Sequence, residues 1–503
     1  MLSKGKHPGR AFDIQIPPPI GGINVSVPIH AVPMEQCVDA WNIWISPNGE
    51  IATRPGTSSL LTTPLPGPIT GLHFSAPLGA YLVASAGKLY KLDTAAKTAT
   101  LLGDLAGNAT NKVSFADFKS KCYVASGGVL QCYDGASFAS VTSLTANPAP
   151  QKALYVVAQD ARLWTGELES RLSYSGTYDP QDWGGAAENS GGFLYIEDGD
   201  GAEITGLSLI EGVPIIFKGN GDRGPYTVAR IDGTTPENFM TKTLTKGVSC
   251  INGHTIQPYL NDLLFVGQDG VFSYQLLRDY VNPRPFPISL RVAPLFAAYT
   301  PHDATFDPKR GIYILAMSGA VLAWHAGTES WWKLAFPFNV VATSIGGSGE
   351  ILFGSDVGQV YSMGSEIAGN WLDDGEMYSS GFSTPAIHHN MPSVEKLFKW
   401  LYVAISPLGP GTFATSWRKD YGQISVASYG ETLPDNLMVG WDGAFEWDNP
   451  NIGWDQMTSV SRRRRLETRA RDIQIRFNSM APFKFLNASC SGALMGYMKD
   501  RWR

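Results

Sequence analysis

The stretches AYLVAS (80–85), KCYVAS (121–126) and ARLWTG (161–166) begin a series of seven short apolar strands, each leading into a turn and a second strand. The other four begin at residues 213, 262, 311 and 350, so successive strands start 41, 40, 52, 49, 49 and 39 residues apart. A repeat of about 40–50 residues built only from strands is typical of a β-propeller. Because one such unit cannot bury its apolar face alone, we expect neighbouring units to stack.

Two further strands complete each unit. One precedes the hairpin, as in ITGLHFS (69–75) and KVSFADF (112–118), and a less regular one follows it, as in ATLLGDL (99–105). Four strands per unit is the composition of a propeller blade. The sequence therefore predicts an all-β chain with six or seven four-stranded blades, and ring closure can borrow a strand from the N-terminal segment.

The flanking segments differ from the repeats. Residues 1–60 include the proline-rich IPPPI (16–20) and are predicted to form an extended N-terminal arm. Within it, Ser46-Pro47-Asn48-Gly49 is predicted to form a turn between two strand-like runs, WNIWI (41–45) and EIATR (50–54). The propeller is expected over 61–385, after which the repeat stops. Strands such as KLFKWLYVAIS (396–406) and RDIQIRFNS (471–479) predict a separate β-sandwich-like domain over 386–503.

The composition limits the classes of protein to consider. Of 503 residues, 44% are apolar and only 17% are charged, which suits a surface covered by partner subunits. A net charge of −6 provides no excess of cations for gripping nucleic acid. Five scattered cysteines predict reduced, mostly buried thiols, and the lack of an apolar signal core or an 18-residue apolar run predicts neither a secreted nor a membrane-spanning protein.

Several ordered motifs resemble those of one known family. Near the N-terminus they are Gly21-Gly22-Ile23-Asn24, Asp39-Ala40-Trp41-Asn42-Ile43-Trp44 and Thr53-Arg54-Pro55-Gly56. RLWTGELESRLSYSGTYDPQDW (162–183), GGFLYIEDGDGAEITGL (191–207) and IIFKGNGDRGPYTV (215–228) follow. In order and spacing they resemble the tail nozzle (tail tubular, DNA-stabilising) proteins of short-tailed bacteriophages, over about residues 20–385.

The resemblance implies a structural role in the virion tail of a particle made in the host bacterial cytoplasm. It implies a homo-oligomeric ring, usually a hexamer, attached below the portal and the tail adaptor protein. The channel of the ring would hold the end of the packaged double-stranded DNA, without sequence specificity, and pass it on during ejection. Tail fibre, spike or needle proteins would dock nearby, and neither catalysis, a cofactor nor membrane insertion is expected.

Ten residues are candidates for contacts with subunits or the adaptor. They are Trp41, Trp44, Arg54, Arg462, Arg463, Arg464, Arg465, Trp441, Trp447 and Trp454. The arginine run can be a solvated loop, a docking patch for an acidic neighbour or a phosphate contact, and we favour docking. The tryptophan-rich loop can be an interface, a sugar-binding surface or a self-packed loop.

Other functions remain as alternatives. The runner-up is a receptor-binding or fibre-docking propeller that recognises host-surface glycan. A glycosidase would need paired carboxylates, and the candidates are Asp160, Glu167, Asp179 and Asp182. The repeated SxDxGxTW box of many sialidases is absent, however, so no catalytic site is predicted.

Two possible metal sites have weak patterns. The acidic turn with Asp198, Asp200 and Glu203 lacks the complete twelve-residue calcium pattern. His388 and His389 have no nearby third ligand in the sequence. The sequence therefore predicts no metal.

Overall fold

The structure is a computed structural model of the chain. It describes residues 11–46, 48–145, 147–159, 161–185, 189–219, 224–275, 287–364, 369–420, 424–433 and 460–495, with only the backbone described for 424–433 and residue 460. The chain divides into two compact units. Unit 1 comprises residues 1–56, 324–335 and 366–503, and unit 2 comprises 57–323 and 336–365.

Seven antiparallel sheets, here called blades 1 to 7, are present in the described part of the chain between residues 57 and 363. Strands that follow one another along the chain pair within each blade. Blade 1 contains Ile69–Ser75, Ala80–Ser85, Lys88–Asp93 and Thr98–Asp104, and blade 2 contains Ser114–Phe118, Lys121–Ala125, Gln131–Tyr133 and Phe138–Ser140. Blade 3 contains Ala153–Gln159, Arg162–Glu167, Arg171–Tyr174 and Gly192–Tyr195. Blade 4 contains Glu203–Ile210, Val213–Gly219, Thr227–Asp232 and Met240–Lys246.

Blade 5 has three strands among the described residues, and blades 6 and 7 have four. Blade 5 contains Gln257–Tyr259, Asp262–Gly267 and Gly270–Ser273. Blade 6 contains Pro301–Asp307, Ile312–Met317, Ala320–His325 and Ser330–Leu334. Blade 7 contains Val340–Ile345, Ile351–Ser355 and Val360–Met363, together with Thr57–Ser59. Helical structure in the described residues includes the short turns Pro236–Asn238, Gly253–Thr255, Leu290–Val292 and Ala293–Phe296.

The blades close into a ring through their first strands. The first strand of each blade contacts the first strand of the next, and Val340–Ile345 of blade 7 contacts Ile69–Ser75 of blade 1. The propeller predicted from the repeat is confirmed, with seven blades.

Apolar residues from adjacent blades share each core. Between blades 1 and 2, for example, Leu82 and Leu89 pack in one buried cluster with Val124 and Tyr133. A matching cluster joins blades 7 and 1. Each sheet thus buries its faces against its neighbours, as expected for stacked repeats.

The last blade is completed by a strand from the start of the propeller. Thr57–Ser59 pairs antiparallel with Val360–Met363, placing Ser59 opposite Tyr361 and Thr57 opposite Met363. The Leu60 N–H also donates to the Val360 carbonyl at 2.8 Å. The N-terminal segment therefore contributes the closing strand that the sequence allowed for.

The described residues of unit 1 form two antiparallel sheets, in addition to the blade 6 strand Ser330–Leu334 that falls within residues 324–335. Sheet I has strands Ala11–Ile16, Ile43–Ile45, Ile51–Thr53, Lys396–Pro407, Val460–Ala470 and Phe483–Leu494. Sheet II has strands Asp39–Trp41, Ser380–Ser383, Gly411–Lys419, Ile424–Leu433 and Ile473–Ser479.

Phenylalanines from both sheets form the aromatic core of unit 1. The Phe382 ring of sheet II lies 4.9 Å from that of Phe485 in sheet I, and Phe413 of sheet II lies 5.5 Å from Phe483 of sheet I. The alternating burial along Ile473–Ser479 points every second side chain into this core. The predicted sandwich-like domain is present.

The domain boundaries differ from the prediction of an arm over 1–60, a propeller over 61–385 and a domain over 386–503. Four strands lie within residues 11–53 and belong to sheets I and II, so the described part of this segment is not an extended arm. Three of these strands have only three residues, and Ile51 pairs with Phe485, far along the chain. The predicted strand-like runs 41–45 and 50–54 do form a local pair, Ile43–Ile45 with Ile51–Thr53, but the remote pairings of this segment leave no local pattern in the sequence.

Closure of blade 7 can be tested at Leu60. Leu60→Pro removes the backbone donor to Val360, and an unsatisfied buried carbonyl costs about 1–3 kcal/mol. Leu60→Ala keeps that donor and loses only side-chain packing. Urea unfolding should show Leu60→Pro less stable than Leu60→Ala by that amount, whereas equal stabilities would contradict the closing role of the strand.

Candidate interaction surfaces and buried charged clusters

Arg54 is the centre of a buried polar cluster in unit 1, here called the Arg54 node. Its side chain is fully buried, and its guanidinium donates two hydrogen bonds to the Asp373 carboxylate, at 2.9 and 2.6 Å. It also donates to the Asn42 side-chain oxygen at 3.0 Å and the Ala335 carbonyl at 2.8 Å. The Tyr378 ring lies 4.1 Å from the guanidinium carbon. A buried charge needs such complete pairing.

Other residues of the N-terminal motifs are needed for the backbone conformation and close packing around the Arg54 node. Asn42 adopts a positive φ of 53°, and its amide donates to the Ser379 carbonyl at 2.8 Å. A Cβ on Gly22 would lie 2.7 Å from the Trp331 carbonyl oxygen, and one on Gly56 would lie 2.1 Å from that of Leu372. These motif residues are therefore explained by packing.

The predicted contacts of Trp41, Trp44 and Arg54 with other subunits need correction. Trp44 and Arg54 are 0% exposed and Trp41 is 8% exposed, with Arg476 stacked 4.3 Å from the Trp41 ring. Side chains enclosed in unit 1 cannot offer a surface to a neighbouring subunit. Their role is to hold the unit together.

The arginine run lies on a strand, so the loop interpretation was wrong. Val460–Ala470 pairs with Lys396–Pro407, which places Arg463 opposite Tyr402 and Arg465 opposite Trp400. The Arg463 guanidinium carbon is 3.6 Å from the Trp400 ring. Arg465 forms an ion pair with Glu467.

Alternation along this strand sets the arginines on two faces. Arg463 and Arg465 share one face, and Arg462 and Arg464 lie opposite Val403 and Leu401 on the other. We call Trp400, Tyr402, Arg463, Arg465 and Glu467 the arginine–aromatic face. Exposed guanidinium groups beside aromatic rings are suited to an acidic protein partner or a phosphate.

The tryptophan-rich loop cannot be placed in the same way. Trp441, Trp447 and Trp454 lie outside the described residues. Their assignment to an interface stays a prediction.

The acidic turn of blade 4 holds a buried lysine. The Asp200 carboxylate accepts from Lys218 Nζ at 3.0 Å and from the Ala202 N–H at 2.9 Å. Lys218 is fully buried and also donates to the Glu197 carbonyl at 3.0 Å. Asp198 is exposed, and Glu203 begins a strand. The Asp200 carboxylate of this turn thus neutralises the buried ammonium group of Lys218 in the same chain.

The carboxylates considered for glycoside hydrolysis have structural partners. Glu167 is buried, accepts from the Ser173 hydroxyl and pairs with Arg171 at 3.5 Å. Asp179 and Asp182 accept from backbone N–H groups two residues further along the chain. Asp160 lies outside the described residues.

His388 and His389 make separate contacts. His388 Nε2 lies 3.3 Å from the His30 carbonyl oxygen, and the His389 ring stacks on Phe12 at 5.2 Å. These contacts involve no further metal-ligating side chain.

Sequence reasoning missed a charged cluster at the centre of the propeller ring. Lys112 comes just before the first strand of blade 2, yet it donates to the Val341 carbonyl in the first strand of blade 7. Asp303, in the first strand of blade 6, accepts from the Ala304 N–H at 2.9 Å and the Thr343 N–H at 3.0 Å. The Lys112 side chain of blade 2 thus contacts blade 7, although blade 1 lies between these two blades. No local motif marks these residues, because they come from separate blades.

Burial shifts the pKa values of this cluster in opposite directions. Burial raises the pKa of Asp303 to about 6, against the opposing effect of Lys112 and of the backbone donors. Burial and then the Lys112 charge lower the pKa of His254 to about 3. Burial also lowers the pKa of Lys112 itself.

Comparisons with known proteins add a limited finding. No protein-family model matches the chain, and no curated protein matches it. Solved structures similar to it include YCF48 from Cyanidioschyzon merolae, with 12% identity, a TM-score of 0.42, and 61% of this chain and 98% of that chain covered. The WD40 β-propeller domain of Doa1 has 12% identity and a TM-score of 0.40, covering 62% and 98%.

A streptogramin B lyase is also similar, with 11% identity, a TM-score of 0.41, and 62% of this chain and 98% of that chain covered. At these identities and TM-scores the likeness carries no conclusion about function. In the described residues, no helix is both long and apolar enough to cross a membrane.

The Arg54 node can be tested by removing its cation. Arg54→Met leaves the buried Asp373 carboxylate unpaired, which should lower the free energy of unfolding by about 3–5 kcal/mol. Arg465→Ala, on an exposed side chain, should change it by less than about 0.5 kcal/mol. Denaturant titration compares the two, and similar small losses would show that the node is not important for stability.

The propeller-centre cluster predicts a pH dependence with opposite signs for two variants. The folded pKa of Asp303 is above its usual 3.8, so the folded state keeps a proton that the unfolded chain releases, and stability falls as the pH rises from about 4 to 6. In Asp303→Asn this fall disappears, so stability relative to the unaltered chain should rise by up to about 1.4 kcal/mol per pH unit.

His254→Gln is the matched counterpart. The pKa of His254 in the folded state is below its usual 6.5. Its contribution to the free energy of unfolding is therefore fully present above pH 6.5 and is lost as the pH falls towards 3. Relative to the unaltered chain, this variant should therefore lose stability as the pH rises over the same interval. Unfolding curves at several pH values measure both, and slopes of equal sign would contradict the assigned shifts.

Proposed function

We propose that this chain is a structural subunit of the tail nozzle of a short-tailed bacteriophage. Several copies form a ring below the portal and the tail adaptor, and the ring channel retains the end of the packaged genome and conducts it during ejection. The role requires rigid walls and no catalysis.

The observation that supports this most is the position of the residues that carry the family resemblance. Gly22, Asn42, Arg54 and Gly56 lie in tight contacts of unit 1, with the charge of Arg54 fully paired. Residues required by tight packing in this way are specific to a fold. A chance match of unrelated motifs is therefore a poor explanation for the resemblance.

The motifs of unit 2 have the same character. Arg162 is buried and donates to the Ser175 carbonyl at 2.6 Å, and Lys218 is buried with its ammonium group fully engaged. Both lie within the stretches that resemble the nozzle family. The resemblance therefore includes residues that shape each unit.

The DNA path in this proposal runs between subunits and not through a propeller. Lys112 of blade 2 interacts electrostatically with Asp303 of blade 6 and with His254, which comes just before blade 5. Duplex DNA, whose major groove alone is about 12 Å wide, cannot pass where side chains of such distant blades lie close together. A channel for DNA must be enclosed by several copies of the chain.

The arginine–aromatic face supplies a docking surface for a neighbouring subunit or the adaptor. The Arg463 guanidinium lies 3.6 Å from the Trp400 ring and holds it beside exposed positive charge, which suits an acidic neighbour.

The proposal predicts assembly that depends on this face. The purified chain mixed with the tail adaptor of the same phage should sediment as a ring of about six copies of 54.5 kDa. Arg463→Glu with Arg465→Glu should weaken assembly at least about tenfold, because like charges across a docking surface repel.

Lys91→Glu with Lys242→Glu makes the same charge change at exposed sites on blades 1 and 4 and should leave assembly intact. Analytical ultracentrifugation measures all three proteins. A chain that stays monomeric with the adaptor present, and binds glycans on an array, would replace the nozzle function with the receptor-binding alternative.

A further inference from the structure

Three side chains with different metal-ligating atoms meet between blades 1 and 2. The His73 ring nitrogen, an Asp117 carboxylate oxygen and the Cys122 sulfur all lie within 4.8 Å of one another. His73 Nε2 is 3.2 Å from Asp117 Oδ2.

The fold brings these residues together from three strands. His73 lies in the first strand of blade 1, and Asp117 lies in the first strand of blade 2. Cys122 is directly opposite Asp117 on the next strand of blade 2. The sequence shows no metal-like spacing because two separate blades supply the ligands.

We propose that His73, Asp117 and Cys122 form a site for a zinc-like divalent transition metal that joins blades 1 and 2. Imidazole nitrogen, carboxylate oxygen and thiolate sulfur are the ligands that such ions accept. Three protein ligands leave a fourth tetrahedral position for water.

The distances are compatible with a tetrahedral ion. Two ligand atoms bound at about 2.0–2.1 Å lie roughly 3.4 Å apart, close to the His73–Asp117 separation. The remaining separations, at most 4.8 Å, require the side chains to close by roughly 1 Å around the ion.

Neighbouring groups orient the ligands. The Ser75 hydroxyl donates to the other Asp117 oxygen at 2.6 Å, and the Phe115 ring stacks on His73 at 5.4 Å with an interplanar angle of 5°. Outer contacts of this kind fix ligating side chains in metal sites. Ser75 and Phe115 are therefore positioning residues.

The site is open at one side and closed at the other. The side chains of His73 and Asp117 are 25% and 22% exposed, whereas Cys122 is fully buried. An ion can enter past the first two ligands and reach the sulfur within the core between the blades.

Metal binding must release the proton of the Cys122 thiol to solvent. Because the bound ligand is the thiolate and not the thiol, affinity should increase with pH.

Cobalt(II) titration of the full chain tests the site. A tetrahedral site with one thiolate should give a thiolate-to-cobalt charge-transfer band and intense visible bands at one equivalent, and zinc should abolish both. Cys122→Ser should remove the charge-transfer band. His73→Gln, at a partly exposed position, should lower zinc affinity by at least about tenfold.

Cys132→Ser is the matched control, because Cys132 lies opposite Tyr123 and so points to the other face of blade 2. It should leave the cobalt bands unchanged, and a given zinc concentration should raise the melting temperature of this variant by more than that of His73→Gln. Absence of the bands in the unaltered chain, or their persistence in both His73→Gln and Cys122→Ser, would overturn the proposal. Neither result depends on ring assembly.

Discussion

The structure of unit 2 depends on the pairing of Thr57–Ser59 with Val360–Met363. Each blade has apolar residues on both faces, so a linear stack would leave two end blades exposed to water. Contact of the last blade with the first removes both ends, and a shared sheet fixes that contact by backbone hydrogen bonds. Ring closure is thus the condition under which every blade can bury its core.

Much of the propeller could be predicted from the sequence, because its information is local. A strand such as Ala80–Ser85 and its partner Lys88–Asp93 are joined by a short turn at Ala86 and Gly87, and this pattern recurs at a regular spacing. The strand-like runs 41–45 and 50–54 were predicted, and Ile43–Ile45 pairs with Ile51–Thr53 around a local turn. Their membership in sheets I and II was not predicted, because the other pairings of this segment are with strands at the other end of the chain. Arg54 was placed at an interface for the same reason, since its partner Asp373 is 319 positions away.

The candidate sites were harder to predict than the fold. His73, Asp117 and Cys122 become neighbours only when blades 1 and 2 pack together, and Lys112 approaches Asp303 only in the closed ring. The arginine run was visible in the sequence, but its strand conformation and the cover that Arg463 gives to Trp400 depend on pairing with Lys396–Pro407. Docking by this face stays a prediction.

We propose that rigid propeller subunits form a passive wall around the end of a packaged genome. Cryo-electron microscopy of the tail of the phage would test this proposal most directly. The account predicts a ring of copies below the portal and adaptor, each with a seven-bladed density whose centre is filled by side chains, and DNA density in the channel that the copies enclose. A map that places the chain away from the DNA path, as single copies at the tips of fibres, would contradict it.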